Sequence, residues 1–324
     1  MSDRTGLVSA ILLDGQGGGR ELPWPETPSD LPEGMTPWLH LDRMSENVQR
    51  WVRREARLDP LVCEALFAEE TRPRVARKGD GLLVILRGVN LNPGEDPEDM
   101  ISIRLWIDAH RIISLRSNHI MAAADIRERI AASEGPRGPG DFLVALADGL
   151  MDRMAPVLAS LEDRLDGMEE EILVTPTGEI RSKLSELRRD AVALRRYLAP
   201  QREALNRLQT EQVPWLTDLH REQLHEIADL LTRHIELLDS ARDHAAVTQD
   251  ELTNLVAEQM NQRMYGLSVV AVIFLPLGFL TGLLGINVAG IPGMDYQGAF
   301  AIVCAILLVV ALFVVGILKH RRWF

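Results

Sequence analysis

The sequence YGLSVVAVIFLPLGFLTGLL, residues 265–284, contains no charged side chain and no histidine. At about 1.5 Å of rise per residue, a helix of this length crosses the ~30 Å hydrocarbon layer of a bilayer. A second uncharged run, AFAIVCAILLVVALFVVGIL, follows at residues 299–318 after a polar, glycine-rich break. Because backbone groups in lipid must be satisfied internally, both runs are predicted to be helices. We therefore expect a C-terminal membrane hairpin with spans at 264–284 and 299–318, joined by a loop at 285–298.

The charges beside the two runs predict the orientation of the hairpin. Arg263 precedes the first span and a basic tail, 319–324, follows the second, whereas the loop carries only Asp295. Lysine and arginine favour the cytoplasmic side of a membrane. Both chain ends are therefore expected in the cytoplasm, with the loop outside, in an inner membrane. Two buried helices of a soluble core are the alternative, which the length of the uncharged runs disfavours.

The net charge indicates which partners the rest of the chain favours. The whole chain carries −12. Residues 264–324 hold three basic residues and one acid, a net +2, so residues 1–263 carry −14. Such an acidic surface disfavours nucleic acid or anionic lipid as a partner and favours cations. The two cysteines, Cys63 and Cys304, form no CxxC pair, so neither a disulfide framework nor a thiolate zinc site is predicted.

Residues 1–140 are predicted to form a mixed α/β cytosolic domain. Short apolar or alternating runs bounded by turn formers predict strands. These runs are 7–13, 37–41, 74–77, 82–89, 101–107 and 111–115. Helices are expected after Ser45, a residue type common at the N-cap, and at Asp59-Pro60, where Asp caps the helix and Pro lies in its first turn.

Two stretches of this domain resemble ligand-binding loops: a glycine run at 17–19 and an acidic loop at 94–99. The glycines at 17–19 lack the Lys-Ser/Thr of a phosphate loop. The loop 94–99, GEDPED, carries four carboxylates and is interpreted as a solvated hairpin tip, with a cation site as the alternative. No nucleophile–base pair or metal-ligand set is apparent, so an enzyme is the least favoured class.

A helical stalk is predicted from 141 to 263. The Gly/Pro-rich segment 133–140 is the expected domain boundary. A helical run follows over 141–173, then a second helix over 179–209. A third helix begins near Val213-Pro214 and meets no further Gly or Pro until Gly266, so it should continue into the first membrane span. So long a helix requires neighbours, either the two before it or copies of itself.

One face of this third helix is small or polar. Counting back from Gly282 by alternate threes and fours gives its membrane half and its stalk half. The membrane half is Asn261, Met264, Ser268, Ala271, Leu275, Gly278 and Gly282; the stalk half includes Glu236, Asp243, Asp250 and Asn254. A coiled-coil seam would be apolar here. The pattern favours a water-filled passage narrowed by Met264 and Leu275, with close packing of small residues between membrane helices as the alternative.

The charge of the third helix agrees with a passage for cations. Residues 213–263 contain ten Asp/Glu and four Arg, a net −6. Copies of the helix around an axis would surround the inner mouth with negative potential. Its four histidines, His220, His225, His234 and His244, form no HExxH pattern, and no metal site is predicted from them.

The first span is followed by Gly285-Ile286-Asn287. Glycine permits a non-helical backbone, and asparagine presents a carbonyl oxygen to a cation without a fixed charge. In a symmetric ring, Asn287 would supply one amide per subunit to a hydrated ion at the outer mouth. An ordinary helix C-cap is the alternative interpretation.

At these residues the sequence resembles the CorA superfamily of divalent-cation transporters, over nearly the whole chain. The most specific segments are residues 274–277 (FLPL), 285–287 (GIN), 291–293 (IPG) and the tail 319–324. The Gly-Met-Asn motif of magnesium-transporting members is Gly-Ile-Asn here, and their usual acid after the loop proline is Gly293. In these departures the sequence resembles the ZntB zinc-transport branch of the superfamily.

The resemblance implies a CorA-like fold: an α+β cytosolic domain, a long helical stalk and a two-helix C-terminal hairpin. It also implies a homopentamer in which the first span lines the pore. Asn287 would stand at the outer entrance, and Asn261, Met264 and Leu275 along the path. Zn²⁺ uptake is the expected function, with proton coupling as an open question and no resident cofactor. A Mg²⁺/Co²⁺ channel is the alternative, and a membrane-anchored scaffold or sensor without a pore is the alternative of another class.

Overall fold

The computed structural model describes residues 6–23, 34–174, 177–286 and 296–320. The chain divides into two compact units, Met1–Gln249 and Asp250–Phe324. The predicted boundary at 133–140 falls inside the first unit, between its third and fourth helices. The first unit contains an α/β domain and long helices, and the second contains the most apolar helical segments.

A seven-stranded mixed sheet forms the centre of the α/β domain. In chain order its strands are β1 (Leu7–Leu13), β2 (Gly19–Glu21), β3 (Thr36–Asp42), β4 (Arg74–Lys78), β5 (Gly81–Gly88), β6 (Ile101–Asp108) and β7 (Arg111–Arg116). Their order in the sheet is β2-β1-β3-β7-β6-β5-β4. Only the β3–β7 pair is parallel. Six of the strands were predicted, each to within one residue at either end.

Both faces of the sheet are covered by helices, because successive side chains of a strand point to opposite faces. On one face Leu39 and Leu41 join a buried cluster with helices α1 (Glu46–Arg54) and α2 (Pro60–Phe67). On the other face Trp38 contacts Phe142 of a later helix, with ring centroids 4.8 Å apart. The domain is therefore a three-layer α/β/α arrangement.

The caps of α1 and α2 lie where the sequence predicts them. Ser45 occupies the N-cap position of α1. The Asp59 carboxylate accepts a hydrogen bond from the Leu61 N–H at 2.9 Å, with Pro60 at the first helical position.

Strand β2 and helix α3 (Met121–Ala131) were not predicted. Strand β2 is the three-residue segment GRE, too short to show alternation, and it pairs with β1 through the turn that contains the glycines at 17–19. Asp14 Oδ1 organises this turn by accepting hydrogen bonds from the N–H groups of Gln16 and Gly18, at 2.7 and 3.0 Å. The glycine run therefore builds a β-hairpin.

The predicted helical run over 141–173 is two helices, α4 (Pro139–Asp152) and α5 (Ala155–Val174). Pro156 explains the break, because proline lacks an N–H and its ring clashes with the carbonyl four residues earlier, here that of Asp152. Arg153 lies in the break and donates to both carboxylate oxygens of Asp125, at 2.6 Å from Nη2.

Helix α6 (Gly178–Thr210) is attached to the sheet by the buried amide of Gln201. Gln201 Oε1 accepts from the Arg87 backbone N–H at 2.6 Å, and its Nε2 donates to the Arg87 carbonyl at 3.0 Å. Strand β4 begins opposite Ile85, so it does not extend as far as Arg87. The Gln201 side chain therefore replaces a missing strand partner.

We expect Gln201→Leu to destabilise the first unit by about 1–3 kcal/mol, because it leaves the partly buried N–H and carbonyl of Arg87 without their Gln201 partner. The measurement is the urea midpoint of the full chain followed by tryptophan fluorescence. Gln209→Leu is the matched control, since Gln209 lies on the same helix and, within the described residues, its side chain forms one hydrogen bond, to Asn206 at 3.4 Å. Equal midpoints for the two variants would show that the Gln201 bonds contribute nothing.

Helix α7 (Asp218–Leu284) has 67 residues and continues without interruption into the first predicted span, as the sequence indicates. It begins a few residues after the predicted start at Val213-Pro214. Helix α8 is Ala299–His320. Both helices are long and apolar enough to cross a membrane, with mean hydropathies of 2.4 and 3.3 in their most apolar windows and only 6% of each window buried.

Candidate functional site

Helix α7 has two distinct faces within the first unit. One face is buried, with Leu224, Leu231, Leu238 and Ala245 at 0–1% exposure. These residues recur every seven positions, which is the spacing of a helix that packs lengthwise on its neighbours.

Polar side chains attach this packed face to α5 and α6. Asp239 Oδ1 forms an ion pair with Arg195 Nε of α6, at 2.7 Å. Thr248 donates to Glu169 of α5 at 2.7 Å, and His244 Nε2 lies 3.0 Å from the same Glu169 oxygen. Sequence reasoning missed these contacts, because Glu169 and Thr248 are 79 positions apart and nothing local relates them.

The predicted stalk stripe lies on the opposite, free face of α7. Glu236 and Asp243 are both exposed, as are Ser240 between them and Val247 one turn further on. Asp250 and Asn254, which belong to the second unit, are exposed as well. The packed face is therefore different from the stripe, and the stripe is available to water, ions or another copy of the chain.

The carboxylates of this free face are weakly neutralised. Asp243 accepts from Arg242 at 2.8 Å in an exposed pair, which raises the pKa of that guanidinium. Exposed pairs of this kind contribute little net energy and are screened by salt. Within the described ranges, Glu236 and Asp250 have no ion-pair partner. The face consequently keeps a negative potential that attracts cations.

In the second unit the character of α7 changes. Residues 264–286 contain no Asp, Glu, Lys, Arg or His. Apart from Val269, every residue of 253–286 is at least partly exposed, with Met264 at 59% and Leu275 at 73%. Exposure therefore does not distinguish the predicted membrane stripe from the other faces. So much apolar surface requires a cover of lipid or of other protein.

The stripe positions of the span offer few free polar groups. Ser268 Oγ donates to the Met264 carbonyl at 2.8 Å, within its own helix. A Cβ placed on Gly278 or Gly282 would meet nothing within 4 Å, so the surface there is open. Ala271 is also exposed and carries no polar group. Among the stripe positions from Ser268 to Gly282, Ser268 alone carries a polar side chain.

Pro276 marks a weak point in the helix, next to the predicted constriction at Leu275. A proline inside a helix removes one backbone hydrogen bond, here to the carbonyl of Val272, and favours a kink. Pro276 belongs to the FLPL segment, residues 274–277, from which the sequence analysis predicted no kink.

The helix ends at the predicted loop. The Gly285 N–H donates to the carbonyls of Thr281 at 2.9 Å and Gly282 at 3.3 Å, which closes the last turn. Ile286 follows and is 48% exposed. Asn287, the predicted ion-contacting residue, lies outside the described residues.

The histidines of α7 do not converge. His220 pairs with Asp141 at 2.8 Å, and His225 lies 3.8 Å from Asp229. His234 is buried, and its pKa is lowered by desolvation and by Arg233. In the part of the chain that the structure describes, no three His, Cys, Asp or Glu side chains are grouped to hold a metal ion.

The family of CorA-like Mg²⁺ transporter proteins matches residues 34–320 of this chain. The chain belongs to the CorA-like family. It is 39% identical to the divalent cation transporter CmaX of Pseudomonas aeruginosa, over 99% of this chain and 98% of that protein. It is 36% identical to the zinc transport protein ZntB of Yersinia enterocolitica, over 98% and 95% of the two chains.

Solved structures of CorA-like proteins have the same fold. The full-length CmaX structure superposes with a TM-score of 0.87, at 38% identity over 99% of both chains. The complete CorA magnesium transporter of Methanocaldococcus jannaschii gives 0.83, over 98% of this chain and 99% of that one. Its 21% identity shows the fold alone. The predicted architecture of α/β domain, long helix and C-terminal apolar helix is thus confirmed.

CorA-like proteins are transporters or channels rather than enzymes, and divalent-cation transport is the activity of this family. The acidic loop at 94–99 is consistent with a structural hairpin tip in this CorA-like chain. The Glu95 carboxylate accepts from the Asn90 amide at 3.5 Å. Burial, together with the negative charge of Asp190, raises the pKa of Glu98.

Proposed function

We propose that this CorA-like protein takes up Zn²⁺ across an inner membrane through a pore lined by α7 in a ring of five copies. The observation that carries the proposal is the change of character along one helix. Its free face carries exposed carboxylates up to Glu258, and no ionisable Asp, Glu, Lys, Arg or His follows from Met264 to Ile286. Carboxylates concentrate cations, and the uncharged segment lets a hydrated cation pass without being trapped.

The assignment of residues follows from this division. Asn287, with Gly285 and Ile286, gathers the hydrated ion outside; Met264 and Leu275 narrow the path; and Glu236, Asp243, Asp250 and Asn254 attract the ion inside. Ser268, Ala271, Gly278 and Gly282 line the span, with Asn261 at its lower end. The extensive exposure of α7 in the single chain supports association of several copies.

Two observations support zinc over magnesium. After the loop proline this chain has Gly293, whereas the magnesium-transporting members of the superfamily it resembles usually have an acid there. The ZntB proteins of several bacteria, named zinc transport proteins, are 35–36% identical to this chain over nearly its full length. Magnesium remains the rival ion, because the matching family is described as Mg²⁺ transporters.

The charges flanking the spans support an orientation with both chain ends in the cytoplasm. Arg263 and Lys319 border the two uncharged runs on the same side of the hairpin. The carboxylate-rich free face of α7 then faces the cytoplasmic mouth. If protons are coupled to transport, they act on acids or histidines of the stalk or travel in the water column, since residues 264–286 hold none of these side chains.

Uptake by proteoliposomes tests the proposal. The purified chain is reconstituted with a zinc dye inside the vesicles, with parallel Mg²⁺ and Co²⁺ assays and with or without an inward proton gradient. We expect Zn²⁺ to enter faster than Mg²⁺. Mg²⁺ flux without Zn²⁺ flux would establish the magnesium channel. No flux of any of the three ions, in vesicles that hold intact oligomers, would favour the scaffold.

Charge reversal on the free face should slow uptake. We expect Glu236→Lys combined with Asp243→Lys to reduce the initial Zn²⁺ rate by about tenfold at low ionic strength, and by less as salt screens the field. Glu162→Lys with Glu186→Lys is the matched control, because both are exposed acids on α5 and α6 and the net charge changes equally. Equal losses in the two variants would remove the free face from the path.

A further inference from the structure

The outward face of α5 is acidic. Asp163, Asp166 and Glu170 are exposed and lie within about 60° of one another around the helix, at about 100° per residue. The buried residues Leu161 and Leu165 are on the opposite side. None of the three carboxylates forms an ion pair or a side-chain hydrogen bond with a residue that the structure describes. We call these three residues the acidic face.

The outward face of α6 is basic. Arg181 and Arg189 are exposed and lie about 80° apart around the helix, on the side away from the buried Leu187. Neither guanidinium forms an ion pair with a described residue. Val192, which is 52% exposed, lies one turn from Arg189 and adds apolar surface. These residues, the basic face, complement the acidic face in charge.

Two ion pairs fix the levels of α5 and α6 relative to each other. Arg164 Nη1 of α5 lies 3.1 Å from Asp190 Oδ2 of α6, and Glu171 Oε2 of α5 lies 3.4 Å from Lys183 Nζ of α6. The step from Arg164 to Glu171 is seven positions forward, and the step from Asp190 to Lys183 is seven positions back. The two helices therefore run antiparallel in a constant register, with these pairs at the seam between them.

This register places the acidic and basic faces at the same height. Arg189 is level with position 165, next to Asp166. Arg181 is level with position 173, three residues or about 4.5 Å from Glu170. Within one chain both faces point away from the seam, so they do not contact each other. A protein partner for either face therefore comes from outside the chain.

A second copy of the chain meets this requirement. In the proposed ring the axis follows α7, and α6 runs along α7. Arg188 Nη1 donates to Gln249 Oε1 at 3.0 Å, and Arg195 Nε lies 2.7 Å from Asp239 Oδ1. Rotation about this axis carries each residue to the next copy without changing its height. Complementary faces on one chain make a head-to-tail contact, which is the kind that closes into a ring.

We propose, on the basis of that ring, that the acidic face of α5 in one copy docks on the basic face of α6 in the next copy. Asp163 and Asp166 of the first copy flank Arg189 of the second, and Glu170 lies against Arg181. Exposed ion pairs are individually weak, but these repeat at every junction of the ring. Opposite charges at matched heights also fix the register between copies.

The oligomeric mass of the purified full chain, measured by light scattering in detergent at low ionic strength, tests this docking. Arg189→Glu should raise the concentration at which the ring dissociates by about tenfold, because attraction becomes repulsion at every junction. Adding Asp166→Arg should recover most of the loss. Arg196→Glu is the matched control, because Arg196 is exposed on the same side of α6 but is level with position 158, and residues 155–161 contain no acid.

Cysteine cross-linking gives a second measurement. Glu170→Cys with Arg181→Cys is placed in a Cys304→Ser chain, since Cys63 is buried. A short bismaleimide, quenched before denaturation, should link the copies into a ladder of covalent oligomers, and each single variant should stay monomeric on a denaturing gel. Linkage within single chains only, equal effects of Arg189→Glu and the control, or no recovery in the double variant would overturn the docking.

These readouts separate the docking from ion transport. Rings that cross-link as expected but carry no Zn²⁺ would overturn the zinc proposal and leave the docking intact. Zn²⁺ flux through rings that do not cross-link between positions 170 and 181, and that are insensitive to Arg189→Glu, would overturn the docking and leave the zinc proposal intact.

Discussion

Asn287→Ala is expected to abolish Zn²⁺ uptake by proteoliposomes, with a loss of at least about 100-fold. In the proposed ring, each subunit offers one amide oxygen to the hydrated ion, so the substitution removes every such contact at once. A hydrogen bond to a charged group contributes about 1.5–3 kcal/mol, and the loss of several exceeds two orders of magnitude in rate. Alanine keeps the backbone but has no oxygen to offer.

The measurement is the initial rate of dye response at equal amounts of reconstituted oligomer. Asn206→Ala is the matched control, since Asn206 is an exposed residue of α6 and its variant should transport normally. Asn287→Asp keeps an oxygen at the same place and should retain uptake with altered ion preference. Unchanged flux through Asn287→Ala would refute the assignment of this residue to the pore.

The sheet could be predicted from the sequence because most of its strands are apolar runs or alternate apolar and polar residues. Strand β1 was predicted at its observed bounds, and β6 differs by one residue. Strand β2 was missed because three polar residues carry no period, and their pairing depends on a turn built by Asp14. The role of Gln201 was equally hidden. It depends on β4 beginning opposite Ile85, too late to pair with Arg87, and Gln201 is 114 positions away from Arg87 in the sequence.

The candidate site was accessible only in part. The continuity of α7 followed from the absence of Gly and Pro, and the exposed acids of its free face followed from a count of positions. A count cannot give the rotation of a helix that has no buried neighbour. An ideal helix also drifts by about 20° per heptad from a 3.5-residue repeat, so a stripe counted from Gly282 loses its register over the length of α7. The rotation of the span therefore stays a prediction.

The position of the acidic residues on α7, rather than their number, disfavours the scaffold alternative. An anchor requires apolar spans, but it does not require a row of exposed acids opposite the packed face of the same helix. Asp239 forms an ion pair with Arg195 of α6. On the free face, Asp243 pairs only with its neighbour Arg242, and Glu236 has no ion-pair partner among the described residues. A solvated helix face is the alternative explanation for these acids, and the family, whose members transport divalent cations, favours the cation.

Leu275→Ser is expected to raise resting Zn²⁺ leak about tenfold in the absence of a proton gradient. An apolar ring can close a pore because water is unstable between apolar side chains, and a hydroxyl at each position rewets it. Leu275 is 73% exposed in the single chain, so its replacement disturbs no packing within the chain. The adjoining Pro276 lacks a backbone N–H, which leaves this part of the helix easier to bend.

The rotation of the span decides this prediction, and Leu277→Ser provides its control. Position 277 is about 200° around the helix from position 275, at about 100° per residue, and bears the same substitution on the same turn. If Leu275 faces the pore, only Leu275→Ser leaks, and Met264→Ser should add to its effect. If Leu277→Ser leaks instead, the stripe has been counted from the wrong residue while the pore itself survives. If neither variant leaks, the constriction is formed by other residues, and the assignments of Met264 and Leu275 fail together.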